Sequence, residues 1–175
     1  MSPERRSYEI SVDEIVSNAK EIMLRDGNHV PALIVEGEKK LIVTQIPNFP
    51  ETHGERIALL RFLGQAAVKT GAIGQLQQVF IITEGWMSMR SQDKPSEMRP
   101  SQDPNRKEVL VISGLQIKER KKYMKVFEIL RGSDQQVVSL EEFLPDGEKK
   151  DTSVEIPLVE AFVQGFQMAF RTKYN

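Results

Sequence analysis

The feature that most constrains the fold is a series of short apolar segments separated by turns. Five of them, rich in β-branched and aromatic side chains, lie at residues 29–35, 39–46, 77–83, 108–113 and 123–131. This composition predicts strands, to which residues 137–140 add a short sixth candidate. The first two segments are separated only by Glu36-Gly37-Glu38, and residues 114–122 turn back between the fourth and the fifth. Because short connections join antiparallel neighbours, we predict a mainly antiparallel sheet of about five strands.

Three segments with helical periodicity accompany these strands. The first begins at Ser11, which has Glu14 three residues later as a capping box requires, and it ends at Gly27. The second covers residues 52–70, and the third begins at Pro157. The order α-β-β-α-β-β-β-α predicts an α+β fold with helices packed on the sheet. This element order resembles that of roadblock-type dimerisation domains and other profilin-like folds.

Length and composition indicate one soluble domain. The 175 residues fit a single domain, 1–175, with a polar N-terminal stretch 1–10 and a long polar connection, 87–105, that we expect to be mobile. The 24 basic and 25 acidic residues nearly balance, which argues against a dedicated nucleic-acid binder. The sequence contains no cysteine, signal peptide or membrane span, so we predict a cytoplasmic protein without disulfides and without contact to a membrane.

Recognisable enzyme signatures are missing. The sequence has no phosphate-binding glycine loop, no His-Glu-x-x-His motif and no nucleophile elbow. Its two histidines, His29 and His53, have no second ligand at metal spacing. We therefore predict no metal site and no cofactor, and we favour a non-catalytic protein.

A polar cluster flanks the long connection between the third and fourth strands. Because neighbouring strands bring their ends together, we expect these side chains to converge under the connection, with Trp86 as an apolar wall. In one interpretation they bind a small anionic ligand or form an enzyme site, since arginine pairs with anions in a fork. In the other, an ion pair between Arg106 and Glu84 or Asp103 pins the loop, Trp86 anchors the packing, and Asp103-Pro104-Asn105 forms an Asx-type turn. The cluster comprises Glu84, Trp86, Arg99, Asp103, Arg106 and Glu108.

The same stretch carries a resemblance to known sequences. Glu84-x-Trp86, followed by Arg99-Pro100-Ser101-x-x-Pro104-x-Arg106-x-Glu108-Val109, resembles a pattern in uncharacterised bacterial and phage proteins. The likeness covers residues 79–113. It implies no catalytic role, and it suggests that strand, connection and strand act as one unit.

Two further segments are candidate binding surfaces. The turn Lys118-Glu119-Arg120-Lys121-Lys122 carries four positive charges and is a candidate for weak contact with nucleic acid or an acidic partner. The last helix is rich in apolar side chains, of which we assign Phe166, Met168 and Phe170 to an interface. We therefore predict a cytoplasmic interaction domain that self-associates as a homo-oligomer or binds a protein partner.

Overall fold

A computed structural model describes residues 9–88, 100–143 and 154–174. A short 3-10 helix, Pro100–Gln102, precedes the fourth strand. The fold is α+β, as predicted, and it has six strands. Its helices and strands, in chain order, are α1 (Val12–Asp26), β1 (Ala32–Gly37), β2 (Leu41–Gln45), α2 (His53–Thr70), β3 (Leu76–Met87), β4 (Lys107–Gln116), β5 (Lys121–Arg131), β6 (Val137–Glu142) and α3 (Pro157–Tyr174).

All six strands form one antiparallel sheet in the order β2-β1-β3-β4-β5-β6. Strand β1 lies inside this sheet between β2 and β3, and every one of its residues is buried. Because proline cannot donate to a ladder, Pro31 near the start of the first predicted strand predicts an edge position, and that prediction is wrong. Pro31 lies before β1, so its lack of an N–H does not remove a hydrogen-bond donor from the sheet.

The sheet buries both of its faces. On one face, α1 packs through Ile15, Ala19 and Met23. On the other face, α2 and α3 cover Leu33, Val35, Val79 and Ile81. We call these the α1 face and the α2–α3 face. Because successive strand residues point to opposite sides, residue parity assigns each strand side chain to one of the two faces. Side chains of the α1 face include Ala32, Ile34, Phe80, Ile82, Leu110, Ile112, Phe127 and Ile129.

The helix ends follow the predicted capping signals. Ser11 and Glu14 form a reciprocal capping box, and Gly27 ends α1 with a left-handed φ of 76°. Thr52 caps α2, which ends at Gly71. The helix α3 begins at Pro157.

Strands β3 and β4 leave residues 88–106 between them, within one residue of the predicted connection 87–105. Strand β3 continues through Glu84 and Trp86 to Met87, and β4 already begins at Lys107. The end of β3 is hard to recognise from the sequence, because a strand can include polar residues where one face of the sheet is partly open to solvent. Residues 1–8 and 89–99 lie outside the described part of the chain, so the expected frayed N-terminus and mobile connection stay predictions.

Candidate functional site

The register of β3 and β4 brings the predicted polar cluster together at one end of the sheet. Glu84 lies opposite Leu110, and Trp86 lies opposite Glu108. Residues of this parity point to the α1 face, so Glu84, Trp86 and Glu108 share one surface. The two apolar segments on either side of the long connection are thus direct neighbours, as predicted.

The cation that pairs with this cluster is Arg131, which the sequence analysis did not select. Its Nε and Nη2 atoms donate to the two oxygens of Glu108 at 2.7 and 2.6 Å. Nη2 also donates to the carbonyl oxygen of Gly27 at 3.1 Å, and Nη1 donates to that of Gln135 at 3.0 Å. The hydrogen bonds to Glu108 raise the pKa of Arg131 above its ordinary value. Arg131 therefore ties β4, β5 and the end of α1 together.

Arg106 has a different role from the one predicted. Its guanidinium centre lies 4.5 Å from the centroid of the Trp86 ring. Within the described residues, no ion pair joins Arg106 to Glu84 or Glu108. The predicted ion pair of Arg106 with Glu84 is wrong, because Glu84 accepts from the backbone N–H of His29 instead, and the described residues show no ion pair between Arg106 and Asp103 either. Arg106 and Trp86 instead form an exposed cation–π pair.

The remaining members of the cluster shape the backbone around it. Asp103 accepts from the N–H of Asn105 at 2.8 Å, which is the predicted Asx turn, and it also bonds to the Ser88 hydroxyl. Glu84 accepts from the backbone N–H of His29. Arg99 lies outside the described residues. Because both oxygens of Glu108 pair with Arg131, we interpret this cluster as a structural anchor for the end of the sheet.

His29 lies beside this anchor and is buried. Its Nδ1 atom lies 2.8 Å from the carbonyl oxygen of Val30, so Nδ1 carries the proton and Nε2 is an acceptor. Nε2 is enclosed and has no hydrogen-bond partner among the described residues. No metal site accounts for it: the described ranges contain no group of three or more His, Asp or Glu side chains that could hold an ion.

The predicted basic turn is partly engaged with its own protein. Lys122 pairs with Glu160 of α3 at 2.6 Å, and the Nζ atom of Lys121 lies 4.8 Å from the centroid of the Tyr123 ring. Lys118 and Arg120 are exposed at the tip between β4 and β5. Contact with nucleic acid or an acidic partner stays a prediction for these two side chains.

The three residues assigned to an interface on α3 separate into different environments. Phe166 lies in the core at 4% exposure, so it offers no surface to a partner. Phe170 is half-buried and its ring stacks on that of Phe166, with centroids 5.8 Å apart. Met168 is 60% exposed, as is Phe62 of α2 at 61%. Only Met168 and Phe170 can therefore contribute to the predicted interface.

The outer surface of α2 and α3 carries charges of one sign. A second copy meeting this surface through a two-fold axis would place like charges against each other, which opposes association. Past the first turn of each helix, every charged residue is a cation; these are Arg61, Lys69, Arg171 and Lys173.

The free edge of the sheet at β2 is the surface that the sequence analysis overlooked. Among the described strands, β2 has a neighbour on one side only, and its residues are half-buried or exposed. Val43 is 61% exposed on the α1 face, opposite Ile34. The five residues of β2, Leu-Ile-Val-Thr-Gln, include no charge and no proline. That composition was the available signal, because natural edge strands are normally protected by such residues.

Hydrogen bonds at the two ends of β2 show which backbone groups face the free edge. The carbonyl oxygen of Lys40 accepts from Gly37, and the N–H of Ile46 donates to Pro31, so the even-numbered groups point toward β1. Because backbone groups alternate in an antiparallel ladder, those of Leu41, Val43 and Gln45 point outward. The opposite edge differs, since β6 ends in Glu141 and Glu142.

The described helices include none that is both long and apolar enough to span a bilayer. Searches of curated proteins and of solved structures gave no match. The likeness in element order to roadblock-type and profilin-like folds therefore stays a prediction. A family model does match, over residues 1–166, and its description is Bacteriophage lambda protein ea47. This match agrees with the resemblance to phage proteins, although the Glu84-x-Trp86 pattern itself stays untested. The chain belongs to the phage lambda Ea47 family.

Proposed function

We propose that the protein is a non-catalytic cytoplasmic domain that binds a second copy of itself through the free edge of β2. The single observation that carries the proposal is the uncharged strand Leu41–Gln45, which pairs on one side only within the described part of the chain. An edge of this kind is a template for another strand, because its outward N–H and C=O groups complement those of a partner strand.

A two-fold axis beside Val43 gives the pairing a definite register. Val43 would lie opposite Val43 of the second copy, and Leu41 would lie opposite Gln45. The outward groups of these residues would then exchange hydrogen bonds between the copies. Lys40 would lie opposite Ile46, so lysines of the two copies would not face each other. The two sheets would join into one continuous antiparallel sheet.

Solution mass tests this proposal. Because the contact is one strand wide, we expect weak association, and light scattering should therefore cover about 1 to 500 µM protein. The natural chain should approach twice its 19.9 kDa at the upper end of this range. Val43→Lys places two cations opposite each other at the axis and should hold the mass at that of one chain.

Val138→Lys is the matched control. Val138 is 62% exposed on the other edge strand, so it introduces the same charge at nearly the same exposure. This variant should associate like the natural chain. A natural chain that stays monomeric at the highest concentration, or a Val43→Lys variant that still dimerises, would overturn the proposal.

A further inference from the structure

A row of polar side chains crosses the α1 face at the end of the sheet opposite to Arg131. The Tyr123 hydroxyl donates to Gln116 Oε1 at 3.2 Å. Gln116 Nε2 then donates to Gln78 Oε1 at 3.3 Å, and Gln78 Nε2 donates to Glu36 Oε2. Each donor points the same way along the row, which spans β5, β4, β3 and β1 and ends at a carboxylate. Such chains of hydrogen bonds reinforce one another in a buried setting.

The Glu36 side chain is a buried carboxylate, and among the described residues only one of its two oxygens accepts hydrogen bonds. The residue is only 5% exposed, and its Oε2 atom also accepts from the N–H of Ile10 at 3.3 Å. The other oxygen, Oε1, accepts no hydrogen bond from the described residues and is not among their fully enclosed unpaired atoms. No ion pair to Glu36 occurs in the described part of the chain either. Glu36 Oε1 is therefore accessible, and the residues that the structure describes supply no partner for it.

Glu36 lines a cavity. Its volume is about 360 Å³, and it is bounded by the β1–β2 turn, the start of β3 and the β4–β5 turn. That volume is within the range of small-molecule sites, roughly 300–1,000 Å³. Glu36, Gln78 and Gln116 belong to its lining. The rim carries exposed side chains of both signs, namely Lys39, Lys40 and Lys118 and the carboxylates of Glu9, Glu38 and Glu119.

We propose that this cavity binds a small zwitterion, with a protonated amine on Glu36 Oε1 and an anionic group on the surrounding lysines. A buried carboxylate without a cation is costly, and an ammonium group supplies both the missing charge and N–H donors. Because the lining carries lysines and glutamates together, it complements a ligand with both charges better than a ligand with one. Leu41 of β2 also lines the cavity, but Glu36 and Lys118 lie outside β2, so variants at these two residues separate ligand binding from self-association.

Calorimetric titration of the full chain tests the ligand chemistry. The probes are γ-aminobutyrate, free lysine and free arginine, each titrated to about 10 mM so that weak binding is detected. Butyrate and butylamine each lack one of the two charged groups of γ-aminobutyrate. We expect at least one zwitterion to bind and both single-charge compounds to bind at least about tenfold more weakly than γ-aminobutyrate or not at all. Failure of all three zwitterions, or equal binding of butyrate, overturns the proposal.

Two variants locate the site. Glu36→Gln keeps an oxygen for Gln78 and Ile10 but removes the negative charge, so zwitterion affinity should fall by at least about tenfold. Lys118→Gln changes an exposed side chain that the fold does not use, and it should also weaken binding. Glu141→Gln, exposed on β6, is the matched control and should bind like the natural chain. If Glu36→Gln folds, the site is refuted when both Glu36→Gln and Lys118→Gln bind the zwitterion as tightly as the natural chain. If Glu36→Gln does not fold, unchanged affinity in Lys118→Gln alone refutes the site.

Discussion

Replacing Gly165 with alanine tests how closely α2 and α3 pack. A Cβ atom on Gly165 would lie 2.0 Å from the carbonyl oxygen of Arg61, about 1.4 Å short of the 3.4 Å at which ordinary contacts begin. The obstacle is helix backbone, which cannot rotate away as a side chain can. Gly64 makes the reciprocal approach, since a Cβ there would lie 2.1 Å from the carbonyl oxygen of Phe162. The two helices must therefore separate to admit the methyl group.

The expected loss of stability combines two opposing effects. Overpacking of this kind costs about 1–3 kcal/mol, whereas alanine gains up to about 1 kcal/mol over glycine inside a helix. Because the required shift moves whole helices and loosens the packing of Phe162 and Phe166, we expect a net loss of about 2 kcal/mol. For a chain of this length, that corresponds to a fall in Tm of about 4–8 °C.

Urea denaturation followed by far-UV circular dichroism measures this difference at one fixed protein concentration, since self-association adds to apparent stability. Gly54→Ala is the control, because Gly54 lies in α2 and a Cβ there would meet nothing within 4 Å. It should leave stability unchanged or raise it by up to about 1 kcal/mol. A Gly165→Ala variant as stable as Gly54→Ala would refute the reasoning about helix contact.

Two further predictions concern charged groups, and both use the same denaturation assay. Arg131→Met should lower the free energy of unfolding by about 1–3 kcal/mol because it leaves Glu108 without its two donors. Arg106→Met should lower it by only about 0.5–1 kcal/mol because it removes an exposed contact with the Trp86 ring. Equal losses would contradict these roles. The second concerns Glu14, whose pKa lies below its ordinary value of 4.5 because the backbone N–H of Ser11, and then its hydroxyl, donate to the carboxylate. Because the pKa of Glu14 is lower in the folded state, its ionised carboxylate stabilises the protein above pH 4.5, and this contribution is lost as the pH falls further. Below that pH, the natural chain should therefore lose more stability than Glu14→Gln. Parallel pH profiles would be inconsistent with this assignment.

Local signals in the sequence predicted the fold class and the helix ends. Ser11 with Glu14, and Gly27 after the helix, act within a few residues, so the sequence itself contains their partners. The position of β1 inside the sheet depends instead on pairing with β3, more than forty residues away. The proline before β1 carried no information about that pairing, which is why the edge assignment failed.

The predicted cluster shows the same division between local and distant partners. The pairing of β3 with β4 and the Asx turn at Asp103 followed from adjacent residues. Arg131 could not be selected, because only the β4–β5 register brings it to Glu108, 23 residues away. Glu36 was likewise assigned to a turn, although it is a buried strand residue whose partner, Gln78, is 42 residues away.

A single introduced cysteine tests the central claim, self-association through β2, most directly. The chain contains no cysteine, so Val43→Cys carries one thiol only. In the proposed register the two Cα atoms at this position lie about 5.5 Å apart, within the range that a disulfide spans. Mild oxidation should therefore convert Val43→Cys into a covalent dimer on a non-reducing gel, while Val138→Cys on the opposite edge stays monomeric. A Val43→Cys variant that cross-links no faster than Val138→Cys would contradict the account.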